Sequence, residues 1–119
     1  MAANTALDYD RLWKGIDFVI NVHPQLRFTQ FRFLLYVKQN PNRSLTEIAN
    51  DLGQTLPAIS RAIDVFGTPK KGRNRDLALG YVLAERSPLD DRIITVSLTL
   101  KGEHFFNQFA LNYDSLQKP

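Results

Sequence analysis

Apolar positions along this chain fall into helical and strand-like runs divided by short breakers, and their order predicts a mainly helical fold with one small β element. From about Leu7 to Val22, Leu12, Ile16, Val19 and Ile20 recur on one helical stripe with Trp13 beside it, and the run stops at His23-Pro24. That helix is apolar on more than one side. A second helix is predicted from about Thr29 to Gln39, with Phe31, Leu34, Leu35 and Tyr36 expected in the core and Asn40-Pro41-Asn42 as its breaker.

The next two segments are sharply punctuated. Ser44-Leu45-Thr46-Glu47 has a capping-box pattern, Ser44 or Thr46 closing the first amides and Glu47 reaching back, and the run ends at Gly53. Thr55 is placed to cap a further helix, with Pro57 tolerated in a first turn whose amides have no intrahelical partner. Two helices around a tight turn make a helix-turn-helix over residues 44–66. On the second of them Leu56, Ile59, Ile63 and Phe66 are predicted to face inward, which leaves Pro57, Ser60, Arg61 and Asp64 on the outer face with Thr55 at its start. Taken alone, such a face is an ordinary solvated helix side.

The hairpin pattern nearer the C-terminus changes that reading. Gly80 to Gly102 holds two strand-like runs, Tyr81-Val82-Leu83 and Ile93 to Leu98, joined by turn chemistry at Ser87-Pro88-Leu89-Asp90 and tipped by Asp90-Asp91-Arg92. A cation-tipped hairpin beside a helix-turn-helix suits duplex DNA: a guanidinium fits a narrow minor groove, and a carboxylate two residues away can hold its fork in one pose. An exposed pair of this kind contributes little to stability. Thr99 is placed to cap a last helix, about Thr99 to Leu116, whose Phe105, Phe106, Phe109, Leu111 and Tyr113 exceed one buried stripe. Two of these are expected to face another subunit, the plainer alternative being that they cover the first helix of the same chain.

Over about residues 28 to 106 the chain resembles the winged-helix domain of the multiple-antibiotic-resistance regulator (MarR) family of bacterial repressors. The most specific pieces are Ser87, Pro88, Asp90 and Arg92 before an alternating strand, then Leu98-Thr99-x-Lys101-Gly102, and earlier Leu45-Thr46, Leu52-Gly53 and Ser60-Arg61. Gly80-Tyr81-Val82 stands where the family has its glycine-aromatic-aliphatic lead into the wing. The resemblance implies a non-enzymatic dimer in which Asp90 pairs with Arg92 and Arg92 is presented to the minor groove.

Three features depart from that pattern. Residues 67–79 form a link about ten residues longer than the family's, carrying Lys70, Lys71, Arg73 and Arg75, and we expect these cations to contact the DNA backbone. Asp91 stands where such wings often have another basic residue. Asp64 lies on the groove-facing side, repelled by phosphate yet able to accept from a cytosine amine.

Composition agrees with this picture without carrying it. The 119 residues are 44% apolar, enough for one domain with one core, and a net charge of +3 fits an acidic partner. Cysteine is absent, which excludes disulfides, thiol switches and cysteine zinc sites. His23 and His104 lie far apart without ligand spacing, and the chain has no phosphate loop or nucleophile elbow, so no metal, cofactor or catalytic residue is expected. No leader segment or membrane-length apolar run is evident, so a cytoplasmic protein is expected.

The sequence thus predicts an α+β fold, mainly α with a small β-wing. It would be a single winged helix-turn-helix domain over 1–119, with flanking N- and C-terminal helices. The expected function is sequence-specific binding of double-stranded DNA as a dimeric repressor, with room for an unidentified small-molecule effector. Leu12, Ile16, Phe105, Phe106, Phe109 and Tyr113, on helices spanning about 7–22 and 99–116, are the expected dimer contacts. The alternative is a winged helix that engages transcription or replication proteins without reading DNA.

Overall fold

The computed structural model describes residues 7–67 and 79–115. Its elements run α1 (Tyr9–Val22), α2 (Phe28–Gln39), β1 (Arg43–Ser44), α3 (Leu45–Leu52), α4 (Leu56–Phe66), β2 (Val82–Arg86), β3 (Ile94–Leu98) and α5 (Leu100–Tyr113). This is the α+β winged-helix arrangement expected. Two compact units emerge, Met1–Leu26 with Phe106–Pro119, and Arg27–Phe105.

In the larger unit, α2, α3 and α4 form one core with the sheet. Phe33, Leu34, Ile48, Ile59, Phe66, Val82 and Val96 are all 0% exposed and Val37 1%, each such burial contributing about 1.5–3 kcal/mol. The Phe33 and Phe66 rings stack at 6.0 Å, tying α2 to α4. On α2 the buried set therefore differs from the expected one. Leu34 is buried, but Leu35 is 39% exposed while Phe33 and Val37 take the core. Helical geometry explains this, since Phe33 and Val37 share a face and Leu35 lies about 200° around from Phe33.

The sheet has three antiparallel strands in the order β1-β3-β2. Pairing from Val82↔Leu98 to Arg86↔Ile94 makes the expected hairpin, with its first strand starting one residue after Tyr81 and running on to Arg86. The hydrophobic pattern does not predict β1. It pairs as Arg43↔Val96 and Ser44↔Thr95, a two-residue strand too short to have a readable alternation.

The smaller unit contains α1 and the C-terminal part of α5. Asp8 caps α1 by accepting from the Arg11 amide at 3.2 Å. Gly15 is buried where a Cβ would lie 2.8 Å from Phe109 Cζ, so the ring can lie against the bare helix backbone. Phe109 meets Phe18 edge-on at 6.4 Å and stacks with Tyr113 at 6.2 Å. Opposite Gly15 and Val19, α1 turns a second apolar stripe to solvent, with Tyr9 73%, Trp13 71% and Ile20 54% exposed.

Candidate nucleic-acid interface

The helix-turn-helix is set by two caps and one glycine. Ser44 Oγ accepts from the Glu47 amide at 3.1 Å while Glu47 Oε1 accepts from the Ser44 amide at 3.0 Å, a reciprocal box that holds the start of α3. The Ser44 amide, then the Arg43 side chain, keep the Glu47 carboxyl below its ordinary value. At the far end Gly53 adopts φ 63°, a left-handed conformation that a side chain would strain. The α3 end is clasped to α2 by Arg32, which donates to the Leu52 carbonyl at 3.1 Å, and by the Tyr36 hydroxyl, which donates to Asp51 at 2.5 Å. Partial burial and that bond push the Tyr36 pKa up to about 12.

Thr55 then caps α4, its Oγ1 accepting from the Ala58 amide at 3.2 Å, with Pro57 in the first turn. Ile59 and Phe66 face the core, and Thr55, Pro57, Ser60, Arg61 and Asp64 are all exposed. One inward expectation fails. Leu56 is 48% exposed because it is the first helical residue, preceding the turn where burial begins at Ile59.

Three bonds fasten the end of α4 to the base of the wing. The amides of Leu79, Gly80 and Tyr81 donate to the carbonyls of Val65, Gly67 and Phe66 at 3.0, 2.9 and 2.6 Å. The outer face of α4 and the hairpin are thus joined by backbone, whatever the length of chain between Gly67 and Leu79. Tyr81 is 7% exposed, stacked on Phe105 at 5.0 Å, with Lys101 over its ring at 5.9 Å. Thr99 Oγ1 donates to the Gly80 carbonyl at 2.6 Å and accepts from the Gly102 amide at 3.1 Å, joining the wing base to the start of α5. Gly102 sits so close to the Tyr81 carbonyl that a Cβ there would collide with backbone. These contacts give physical content to the Gly-Tyr-Val and Leu-Thr-x-Lys-Gly motifs.

At the wing tip, Asp90 and Arg92 are paired as expected. Arg92 Nε donates to Asp90 Oδ1 at 3.0 Å and Nη2 to Oδ2 at 2.9 Å, a two-pronged fork, and the Arg92 amide also donates to Oδ1 at 3.0 Å. The Arg92 side chain, followed by its amide, holds the Asp90 carboxyl below the ordinary carboxylate value, and Asp90 in turn raises Arg92. Arg92 remains 86% exposed in this embrace, so it is oriented without being hidden. Sequence reasoning misses Arg86, whose Nη1 donates to the Asp91 carbonyl at 2.7 Å. Its only signal is a cation at a strand end.

Lys70, Lys71, Arg73 and Arg75 lie outside the described residues. Of the expected dimer contacts, Phe105 is 4% and Phe106 7% exposed, so both are consumed within their own chain. Leu12, Ile16, Phe109 and Tyr113 are half-buried, and the exposed apolar surface of α1 falls instead on Tyr9, Trp13 and Ile20. Among the described residues there is no group of three or more His, Asp or Glu that could hold a metal, and no helix is long and apolar enough to cross a membrane.

No family model matches the chain, and a search of curated proteins finds no match. Solved structures do match. The transcriptional repressor CouR, bound to a 23-mer DNA duplex, is 34% identical with a TM-score of 0.54, over 84% of this chain and 64% of that one. A transcriptional regulator from Thermotoga maritima is 17% identical at TM-score 0.65, over 89% of this chain and 66% of its own. A mutant of MarR from E. coli, complexed with operator DNA, is 19% identical at TM-score 0.60, over 89% and 70%. The chain spans just under two thirds of the length of the first two of these.

Proposed function

We propose that this chain is a winged-helix protein of the MarR family and acts as a sequence-specific duplex-DNA-binding transcriptional regulator. The observation that carries the proposal is the pairing of an exposed polar α4 face with a wing tip whose guanidinium is held in one pose yet left 86% exposed. In this reading Thr55, Pro57, Ser60, Arg61 and Asp64 enter the major groove, and Arg92, oriented by Asp90, enters the adjacent minor groove. The cations at Lys70, Lys71, Arg73 and Arg75 follow the phosphates. CouR and E. coli MarR in their DNA complexes support the same reading. We further propose a homodimeric, non-enzymatic, cytoplasmic repressor in which a second copy covers the exposed Tyr9, Trp13 and Ile20 stripe.

Selection from a random duplex library, with sedimentation of the free protein, tests this directly. A dimer should recover paired half-sites about 10 base pairs apart between centres, one helical turn of DNA. Absence of duplex binding even at low salt would refute it in favour of a winged helix that engages other proteins.

A further inference from the structure

We propose that Arg86 is a positioning residue of the wing, setting where Arg92 points while not itself contacting DNA. The inference rests on reading the wing as a groove-contacting element. Arg86 is the last residue of β2, paired with Ile94 at the start of β3, so its backbone belongs to the sheet. Its side chain reaches into the loop, where Nη1 donates to the Asp91 carbonyl at 2.7 Å. Asp91 is the residue between the two members of the fork.

That location separates two tasks. The bonds from Arg92 to Asp90 fix the guanidinium relative to the loop, because both residues ride on it. They do not fix the loop relative to the sheet. The Ser87 amide donating to Ile93 at 2.7 Å closes the neck, and the Ile93 amide donating to Asp90 at 3.0 Å closes the inner turn. Arg86 supplies a third tie, from the sheet to the peptide directly before Arg92. A guanidinium spent on a backbone carbonyl makes a charge-assisted bond, stronger than a neutral one. The partner is main chain, so the tie constrains the tip whatever side chain stands at position 91. Removing it frees the tip to swing with the Asp90–Arg92 fork intact, which spreads the guanidinium over many poses and lowers its ability to distinguish groove shapes.

Arg86→Ala, Arg86→Lys and Arg92→Ala are compared with the unaltered protein on two duplexes of the selected site, one with an A·T-rich and one with a G·C-rich wing-facing segment, over a salt series. The order parameter of the Arg92 Nε–H is followed by 15N NMR relaxation in the free proteins. Arg86→Ala should lose several-fold of the A·T preference and approach Arg92→Ala. Its log K against log salt slope should change by less than the value of about 0.9 expected for one phosphate contact, and the Arg92 Nε–H order parameter should fall. Arg86→Lys, which can still reach the carbonyl, should restore part of the preference. An Arg86→Ala protein that loses affinity equally on both duplexes with a full contact's change in slope would make Arg86 a phosphate ligand and overturn the proposal. Should the unaltered protein show no preference, the reading of the wing fails, and the order parameter still judges the tie: an unchanged value in Arg86→Ala overturns it.

Discussion

The α4 face and the wing tip are presented for one task by opposite means. α4 is held from behind, with Ile59 and Phe66 at 0% exposure and Pro57, Ser60, Arg61 and Asp64 exposed on its outer side. The wing tip has no core. Its loop is shaped by hydrogen bonds among residues 86–93, and its ends carry Leu89 at 95% exposure and Arg92 at 86%. The helix face therefore inherits the stability of the domain, whereas the tip's order is local. Damage to the support of α4 should unfold the protein; damage to the support of the wing should leave a folded protein that reads DNA poorly.

The largest expected effect is on the packed side. Phe66→Ala empties a fully buried site that stacks on Phe33 and should cost about 3–5 kcal/mol by denaturant titration. A loss below about 1 kcal/mol would mean that the core behind α4 is not its support. Next comes the junction shared by both elements. Gly102→Ala drives a Cβ into the Tyr81 carbonyl, and about 1–3 kcal/mol of lost stability is expected. A neutral outcome would show that wing base and α5 slide apart freely.

Smaller in stability, but large in binding, is Arg61→Ala. It should leave thermal unfolding unchanged while costing about 1–3 kcal/mol of specific affinity and relaxing base preference at one position. An unchanged affinity for the selected site would remove Arg61 from the reading face. Asp90→Ala sharpens the contrast further: unfolding should stay put, and the A·T preference should fall toward that of Arg92→Ala. If binding tightened instead, Asp90 would be acting as a phosphate repellent rather than as the holder of the fork.

The smallest effect is the pH dependence of that fork. Arg92 depresses the folded Asp90 carboxyl, so the pairing is fully present above the ordinary value of 3.8 and is lost as pH falls through the lower folded value. Arg92 stays charged throughout that window. A carboxyl-carbon NMR titration should therefore place Asp90 below an ordinary Asp, and Arg92→Ala should return it to normal. An Asp90 midpoint indifferent to Arg92→Ala would break the comparison at its most exposed point.

Residues alone determine whatever is decided within one turn of chain. The Ser44 and Glu47 box, the Gly53 stop, the Thr55 cap and the Asp90–Arg92 fork involve partners two to three residues apart or one backbone angle, and the structure places all of them as expected. Decisions that need a partner from elsewhere are not legible. Leu35 and Phe33 are both large and apolar, and only the packing of α2 on α4 selects Phe33. Phe105 and Phe106 are surplus by pattern, yet Tyr81, some two dozen residues earlier, stacks on the first of them. β1 exists because β3 has an open edge beside it, not because Arg43-Ser44 favours a strand. Arg86 gains its meaning from a carbonyl across the hairpin. Caps, turns and short-range ion pairs are governed by local geometry and so are written in order along the chain. Burial and cross-strand bonds are a competition among distant residues for the same space, which only the tertiary structure resolves.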